Sequence, residues 1–246
     1  MIVKDEQSLL PGALATVAFA DELIIGIDDQ TTDATERIAR KAGAKVHWLD
    51  FRDNFGAMRN VGLAKATKDW VLVIDADDRL TDWGAQIIRE VMRRPRSDVE
   101  VYGLLIENRK LDGTLLKVDP LPATRLFPNH KGIHYINRAH ETLKSQSGGD
   151  LQIGWLRGGV AITHYGYDPT LYELRHKDDR NMALLLMQLE ETPEDRLLWF
   201  ELARQHVIGG RLEEARVAAQ IALDLPGYLR PELVAELETI MGVVRT

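Results

Sequence analysis

Two acidic clusters stand where apolar runs stop. Leu23-Ile24-Ile25-Gly26-Ile27 ends in Asp28-Asp29-Gln30-Thr31-Thr32-Asp33, and Trp70-Val71-Leu72-Val73-Ile74 ends in Asp75-Ala76-Asp77-Asp78. A hard divalent cation bound to diphosphate oxygens needs only one or two protein carboxylates, which the Asp75-Ala76-Asp77 triplet supplies. Such an ion takes up the charge that develops on a departing diphosphate. The same triplet also reads as a solvated acidic turn capping a helix. Asp28 has the same placement one acidic cluster earlier, where a carboxylate can accept a hydrogen bond from a nucleobase N–H. It also reads as an Asx turn, with Thr32 or Asp33 capping the next helix.

Three further groups have suitable chemistry. Arg59, in Ala57-Met58-Arg59-Asn60, carries a guanidinium fit to stack on or hydrogen-bond a base, or simply to face solvent. In Arg138-Ala139-His140-Glu141, Glu141 can act as a general base worth about 10²–10⁴-fold, and His140 can replace it or orient it. His164 follows an apolar run, and a neutral imidazole there suits a third metal ligand or a satisfied structural histidine.

These residues need elements to hold them. Short apolar runs at Met1–Lys4, Leu23–Ile27, Lys45–Trp48 and Trp70–Ile74 alternate with helical spacing over Ser8–Phe19, Thr35–Ala42 and Asn54–Ala66. That alternation predicts a parallel α/β sheet covered by helices on both faces. In such sheets ligands bind beyond the carboxyl ends of the strands, where both acidic clusters fall. Val101–Ile106 and Leu115–Val118 flank a turn at Lys110-Leu111-Asp112-Gly113 and predict a hairpin. Ser145–Asp150 reads as a polar loop and Val160–Thr163 as a last strand. Beyond Asp168 the pattern is helical: Leu171–Leu189, Arg196–Val207, Leu212–Leu223 and Pro231–Met241. Trp199, Leu202, Ala203, Ala215 and Ala222 have the spacing of one tetratricopeptide unit. One such unit cannot bury its own face, so it is expected to pack on the α/β domain or on a second chain.

In this order the segments resemble glycosyltransferase family 2, and within it the bacterial subgroup that joins the catalytic domain to helical repeats. The carrying segments are Met1–Glu6, Asp28–Asp33, Asn54–Asn60, Ile74–Asp78, Arg125–Asn129, His140-Glu141 and His164–Tyr167. The resemblance implies a GT-A (Rossmann-like) α/β fold with a mixed sheet in residues 1–168 and an all-α, tetratricopeptide-like segment in 169–246. It implies an inverting enzyme using a nucleotide-sugar donor, usually UDP-linked, with Mn²⁺ or Mg²⁺. Val3, Asp28, Arg59 and Asp75 would then line the nucleotide site, Asp28 and Arg59 at the uracil and Asp75 at the ribose or metal. Asp77 would ligate the metal, His164 would add a further ligand, and Glu141 would be the base. Two departures stand out: Asp29-Gln30-Thr31 replaces the usual Thr-Gly-Ser, losing an easy left-handed position, and Met1 already lies in the first strand, so the strand is short or the natural start lies upstream.

Composition narrows the alternatives. The 246 residues carry a formal charge of −7 and no cysteine. That disfavours a basic nucleic-acid face or polybasic membrane grip and excludes disulfides, zinc thiolates and thiol nucleophiles. No apolar run reaches the ~20 residues of a bilayer span, and Lys4-Asp5-Glu6 is unlike a signal peptide, so a cytoplasmic location is expected. Acceptors compatible with the sequence include a glycan, a lipid-linked saccharide, a peptide or protein side chain, and a modified nucleobase. The helical tail could bind a peptide or form a homo-oligomer. A competing reading is a degenerate GT-A domain serving as a scaffold through that tail. A nucleotidyltransferase ranks third, because residues 4 to 20 offer only Lys4 and Gly12 toward a triphosphate cradle.

Overall fold

The computed structural model describes residues 1–51, 53–119, 122–174 and 177–242. In chain order, β1 (Ile2–Val3), α1 (Leu10–Thr16), β2 (Ile24–Asp28), α2 (Thr35–Lys41), β3 (Lys45–Leu49) and α3 (Phe55–Lys65) come first. Then follow β4 (Trp70–Leu72), β5 (Asp78–Leu80), α4 (Asp82–Arg93), β6 (Val101–Leu104), β7 (Ile106–Arg109), β8 (Leu115–Val118) and β9 (Ala123–Pro128). The series ends with β10 (Ile133–Ile136), β11 (Thr142–Ser145), β12 (Ile153–Leu156), β13 (Ile162–His164), α5 (Pro169–Leu174), α6 (Lys177–Glu191), α7 (Arg196–Ile208), α8 (Leu212–Asp224) and α9 (Pro231–Ile240). The helix expected over 171–189 appears as α5 and α6, and residues 175 and 176 lie outside the described residues.

The chain forms two compact units: Met1–Ile136 with Glu141–Leu171, and Asn137–His140 with Tyr172–Thr246. In the first, β1, β2 and β3 make a parallel sheet. A second sheet runs β12-β6-β9-β4 and a third β5-β13-β7-β8, each mixing parallel and antiparallel pairs. The mixed α/β architecture implied by the resemblance is present with its helical tail, but the parallel sheet read from the alternation holds only for β1 to β3: β4 pairs antiparallel with β9 in the second sheet.

The hairpin differs from expectation in one respect. Val101–Ile106 is not one strand: it breaks at Leu105, so β6 pairs with β9 and β12 while β7 forms the hairpin with β8. Leu104 and Ile106 are both buried, each in a different sheet.

Helix starts are set by local chemistry. Asn54 caps α3, its Oδ1 accepting from Ala57 N at 2.8 Å, and Thr81 caps α4, accepting from Gly84 N at 3.0 Å. A Cβ on Gly84 would lie 2.3 Å from the Ala161 carbonyl oxygen, so glycine lets α4 lie close against the chain entering β13. A core of Ile74, Leu80, Ile88, Tyr102, Leu104, Leu126 and Ile162 fixes the strands that carry the second acidic cluster.

The second unit buries a core of its own. Leu185, Leu189, Leu198, Phe200, Leu202, Ala203, Ala219, Ala222 and Leu237 pack together from α6 to α9. Asp195 caps α7 through Leu197 N and Leu198 N. The tetratricopeptide-like pair α7–α8 thus has helices of its own unit against it. Among the described residues no helix is long and apolar enough to cross a membrane.

Candidate active site

The first acidic cluster closes as a pinned loop. Asp28 is 5% exposed; its Oδ1 accepts from Gln30 N at 2.8 Å, and Lys4 Nζ stands 3.5 Å from Oδ2 and 3.2 Å from Gln30 Oε1. Asp28 therefore makes the Asx-turn bond and faces a cation as well. The loop does not call for the missing glycine, because none of Asp29, Gln30 and Thr31 has a positive φ; on the facing segment Asp5 is left-handed (φ 50°). From there Asp5 Oδ1 accepts from Thr32 N at 2.8 Å, Thr32 Oγ1 at 3.4 Å and Asp33 N at 3.3 Å. Thr35 Oγ1 accepts from Glu6 N at 2.7 Å, and Asp33 Oδ2 from Gln7 N at 2.9 Å. Residues 5–7 and 32–35 are laced together on either side of Asp28. Val3, in β1, is buried beside β2 opposite Ile27.

Arg59 lies deeper than expected for a base contact. Its side chain is 11% exposed; Nη1 donates to Asp75 Oδ1 at 3.0 Å and Nε donates to Glu141. Its neighbour Asn60 fixes the helix, exchanging two 2.8 Å hydrogen bonds with the backbone of Tyr135. The other Asp75 oxygen accepts from Arg125 Nη1 at 3.0 Å. Burial alone would raise the Asp75 carboxyl, but the guanidiniums of Arg59 and Arg125 hold it well below the usual carboxylate range. Burial likewise works to raise Glu141, and Arg59 outweighs it, leaving Glu141 below its ordinary value.

The metal-competent cluster sits one step further. Among the described residues Asp77, Asp78 and His164 offer ligand atoms that all lie within 4.8 Å of one another. Asp75, expected among the ligands, stands outside this group, between its two guanidiniums. His164 Nδ1 is 2.8 Å from Asp78 Oδ1 and 3.6 Å from Asp77 Oδ1. A hypothetical Cβ on Gly166 would lie 2.4 Å from His164 Nε2 and 2.5 Å from Asp77 Oδ2, so those two atoms face one point that glycine leaves clear. Carboxylate and imidazole donors so disposed, with a second carboxylate holding the far ring nitrogen, fit a divalent cation. Asp77 and His164 would hold it, and fully buried Asp78 would orient His164.

His140 turns elsewhere. It has a left-handed backbone (φ 49°), belongs to the second unit, and places Nδ1 3.4 Å from Glu201 Oε2. The expectation that His140 orients Glu141 gives way to Arg59 in that place. Sequence reasoning also passed over Asp5, Asp78 and Arg125. Each of the three lies inside a segment that carries the resemblance, Asp5 in Met1–Glu6, Asp78 in Ile74–Asp78 and Arg125 in Arg125–Asn129, but none has a motif role of its own.

The family model for Glycosyl transferase family 2 matches residues 1–118. A TPR repeat-containing protein of Synechococcus elongatus is 33% identical over 224 residues, covering 88% of this chain and 53% of the relative. An uncharacterized glycosyltransferase of Rickettsia typhi is 32% identical over 84 residues, 33% of this chain and 27% of that protein. The chain thus spans about half the length of the first relative or less of the second. Among solved structures, S. aureus TarS 1–349 gives a TM-score of 0.49 at 17% identity, over 98% of this chain and 86% of that one. Glucosyl-3-phosphoglycerate synthase from Mycobacterium tuberculosis, in complex with Mn²⁺ and UDP-glucose, gives 0.37 at 19% identity, over 43% of this chain and 41% of that one.

Proposed function

We infer that this chain, whose residues 1–118 match the family model for glycosyl transferase family 2, transfers a glycosyl group from a nucleotide-diphosphate sugar, with UDP as the nucleotide, to a nucleophilic acceptor. The reading is carried by one observation: a continuous run of charged contacts links the candidate base to the candidate metal site. It passes from Glu141 to Arg59, to Asp75 at 3.0 Å, to Arg125 at 3.0 Å, to Asp78 at 3.9 Å, and to His164 at 2.8 Å. Residues from five separate stretches of sequence are thereby tied into one electrostatic unit.

In this reading Asp28, with Lys4 beside it, meets the base, and Asp75 meets the ribose. Asp77 and His164 hold Mn²⁺ or Mg²⁺, which when bound offsets negative charge on the diphosphate. Glu141 takes the proton of the acceptor nucleophile, and attack opposite the leaving diphosphate inverts the anomeric centre. Arg59 keeps Glu141 ionised and fixes its distance from Asp75. The acceptor is a hydroxyl or amine of a glycan, a lipid-linked saccharide, a protein or a modified nucleobase.

A thermal-shift screen of nucleoside diphosphates and their sugars, with and without Mn²⁺, tests the donor assignment. A ligand of the native state raises the melting midpoint. UDP with Mn²⁺ is expected to shift it more than ADP, CDP or GDP; equal or absent shifts for all four count against a UDP-linked donor.

A further inference from the structure

Among the described residues, Asn108 is the side chain of the first unit with two buried polar atoms unpaired; Thr31 Oγ1 and His47 Nε2 are single atoms. Asn108 is 1% exposed, and neither its Oδ1 nor its Nδ2 has a hydrogen-bond partner. Buried polar groups are paired in the great majority of cases, and an exception calls for an explanation such as an absent ligand. Its position supplies one. In the third sheet Asp78 of β5 is opposite His164 of β13, His164 is opposite Asn108 of β7, and Asn108 is opposite Lys117 of β8. Residues directly opposite across strands share a face. Asp78, His164, Asn108 and Lys117 therefore form one row, with neighbours about 5 Å apart, running from the candidate metal cluster to the exposed edge of the sheet.

Tyr167 covers this row. Its ring meets the His164 ring edge-on at 5.5 Å, and Lys117 Nζ lies 5.5 Å from the centre of the same ring. The Tyr167 ring thus reaches the residues on either side of Asn108 in the row. Tyr167 is 44% exposed and sits at the end of the His164–Tyr167 segment, so it is placed to be displaced by a ligand.

We propose that Asn108 is a sugar-binding residue: its carboxamide pairs with hydroxyl groups of the transferred glycosyl unit when the donor displaces Tyr167. The inference rests on the glycosyl-transfer reading above. The chemistry selects this ligand. A metal ion would take Oδ1 and leave Nδ2 unpaired, and a phosphate oxygen would take Nδ2 and leave Oδ1 unpaired. A sugar hydroxyl both donates and accepts, so neighbouring hydroxyls satisfy both ends of the amide. One strand spacing separates Asn108 from His164, which puts the amide beside the diphosphate-binding cation rather than on it.

Calorimetry with the whole chain in Mn²⁺ tests this, using UDP and the tightest binder among UDP-glucose, UDP-galactose, UDP-N-acetylglucosamine and UDP-N-acetylgalactosamine. Asn108→Ala, and Asn108→Leu as the volume-keeping control, are expected to leave UDP affinity within about twofold and to weaken the UDP-sugar at least about tenfold. Because the amide is unpaired in the free protein, the melting midpoints of both variants should equal or exceed that of the parent. Equal loss of UDP and UDP-sugar, no loss of either, or lowered midpoints in both variants would overturn the assignment while leaving donor binding intact. A parent protein that binds neither UDP nor any of the four sugars overturns the glycosyl-transfer reading, and this assignment with it.

Discussion

Arg59 donates from Nε to Glu141, a residue 82 positions further along the chain, and both side chains are largely withdrawn from solvent. One guanidinium thereby sets the ionisation of the candidate base while its Nη1 anchors Asp75.

Replacing Arg59 should change the pH dependence of turnover. Glu141 has a depressed folded-state value, so it stays a competent base as pH falls below about 4.3, the ordinary glutamate value. Its stabilising contribution is present above that unfolded value and is lost as pH falls through the lower folded one. Arg59→Gln should move the acid limb of kcat/KM to higher pH. It should also destabilise the fold by about 3 kcal/mol, the scale of stranding one partner of a buried ion pair. Arg59→Lys should restore the limb in part, since it returns the charge without the forked geometry. A pH–rate profile of each variant, checked against its melting midpoint, reads both effects.

Gly166→Ala is a selective probe of the metal site. The backbone there does not require glycine, since Gly166 is absent from the residues with positive φ. The added methyl would nonetheless lie 2.4 Å from His164 Nε2 and 2.5 Å from Asp77 Oδ2. The variant should keep its circular dichroism and lose at least about tenfold in Mn²⁺ affinity, measured by metal titration of UDP binding. Asp78→Asn, which weakens the hold on His164 Nδ1, should cost about 10–100-fold by the same readout.

Asp5→Ala should act on donor affinity. It removes the acceptor of three hydrogen bonds from Thr32 and Asp33 and places a left-handed conformation on alanine. Loosening of the loop after Asp28 should raise KM for the donor with little change in kcat. Asp5→Asn, which tolerates that backbone and keeps an acceptor, should lie between. Steady-state kinetics at saturating acceptor separate the two parameters.

Glu22 offers a stability test away from the site. Its carboxylate accepts from Lys45 Nζ at 2.5 Å, Thr67 N at 2.8 Å and Thr67 Oγ1 at 2.9 Å. The hydrogen bond from Lys45, with those from Thr67, lowers its pKa to about 2. A depressed carboxylate stabilises the fold above its unfolded value and loses that contribution as pH falls toward the folded one. Melting midpoints should therefore decline between about pH 5 and pH 2 in the parent, and Glu22→Gln should flatten that decline.

What the sequence makes legible follows from the range over which each signal acts. The run before Asp28 is apolar because β2 is buried along most of its length, and the run before Asp75 passes from the partly buried β4 into the buried Val73 and Ile74, so the ends of both are visible in one dimension. Helices α7 and α8 are legible from Trp199, Leu202, Ala203 and Ala222, which keep helical spacing and pack into one core. Strands β9 to β12 escape notice because they mix polar and apolar residues, as in Ala123-Thr124-Arg125 and Thr142-Leu143-Lys144; β9 and β12 are also defined by pairing with distant partners, whereas β10 and β11 pair with each other. The role of Arg59 was illegible for the same reason. A resemblance gives a residue its motif, but the partners that occupy its guanidinium come from positions 75 and 141 and are joined only by the fold. The row containing Asn108 depends on strand register, which alternation within one strand does not encode.

The central claim is metal-dependent glycosyl transfer through the second acidic cluster, and release of UDP from a UDP-sugar tests it most directly. The parent protein with Mn²⁺ is predicted to release UDP, to stop on addition of EDTA, and to recover with excess Mn²⁺, while Asp77→Ala releases none above background. Release by Asp77→Ala at the parent rate with the same metal requirement would contradict the account.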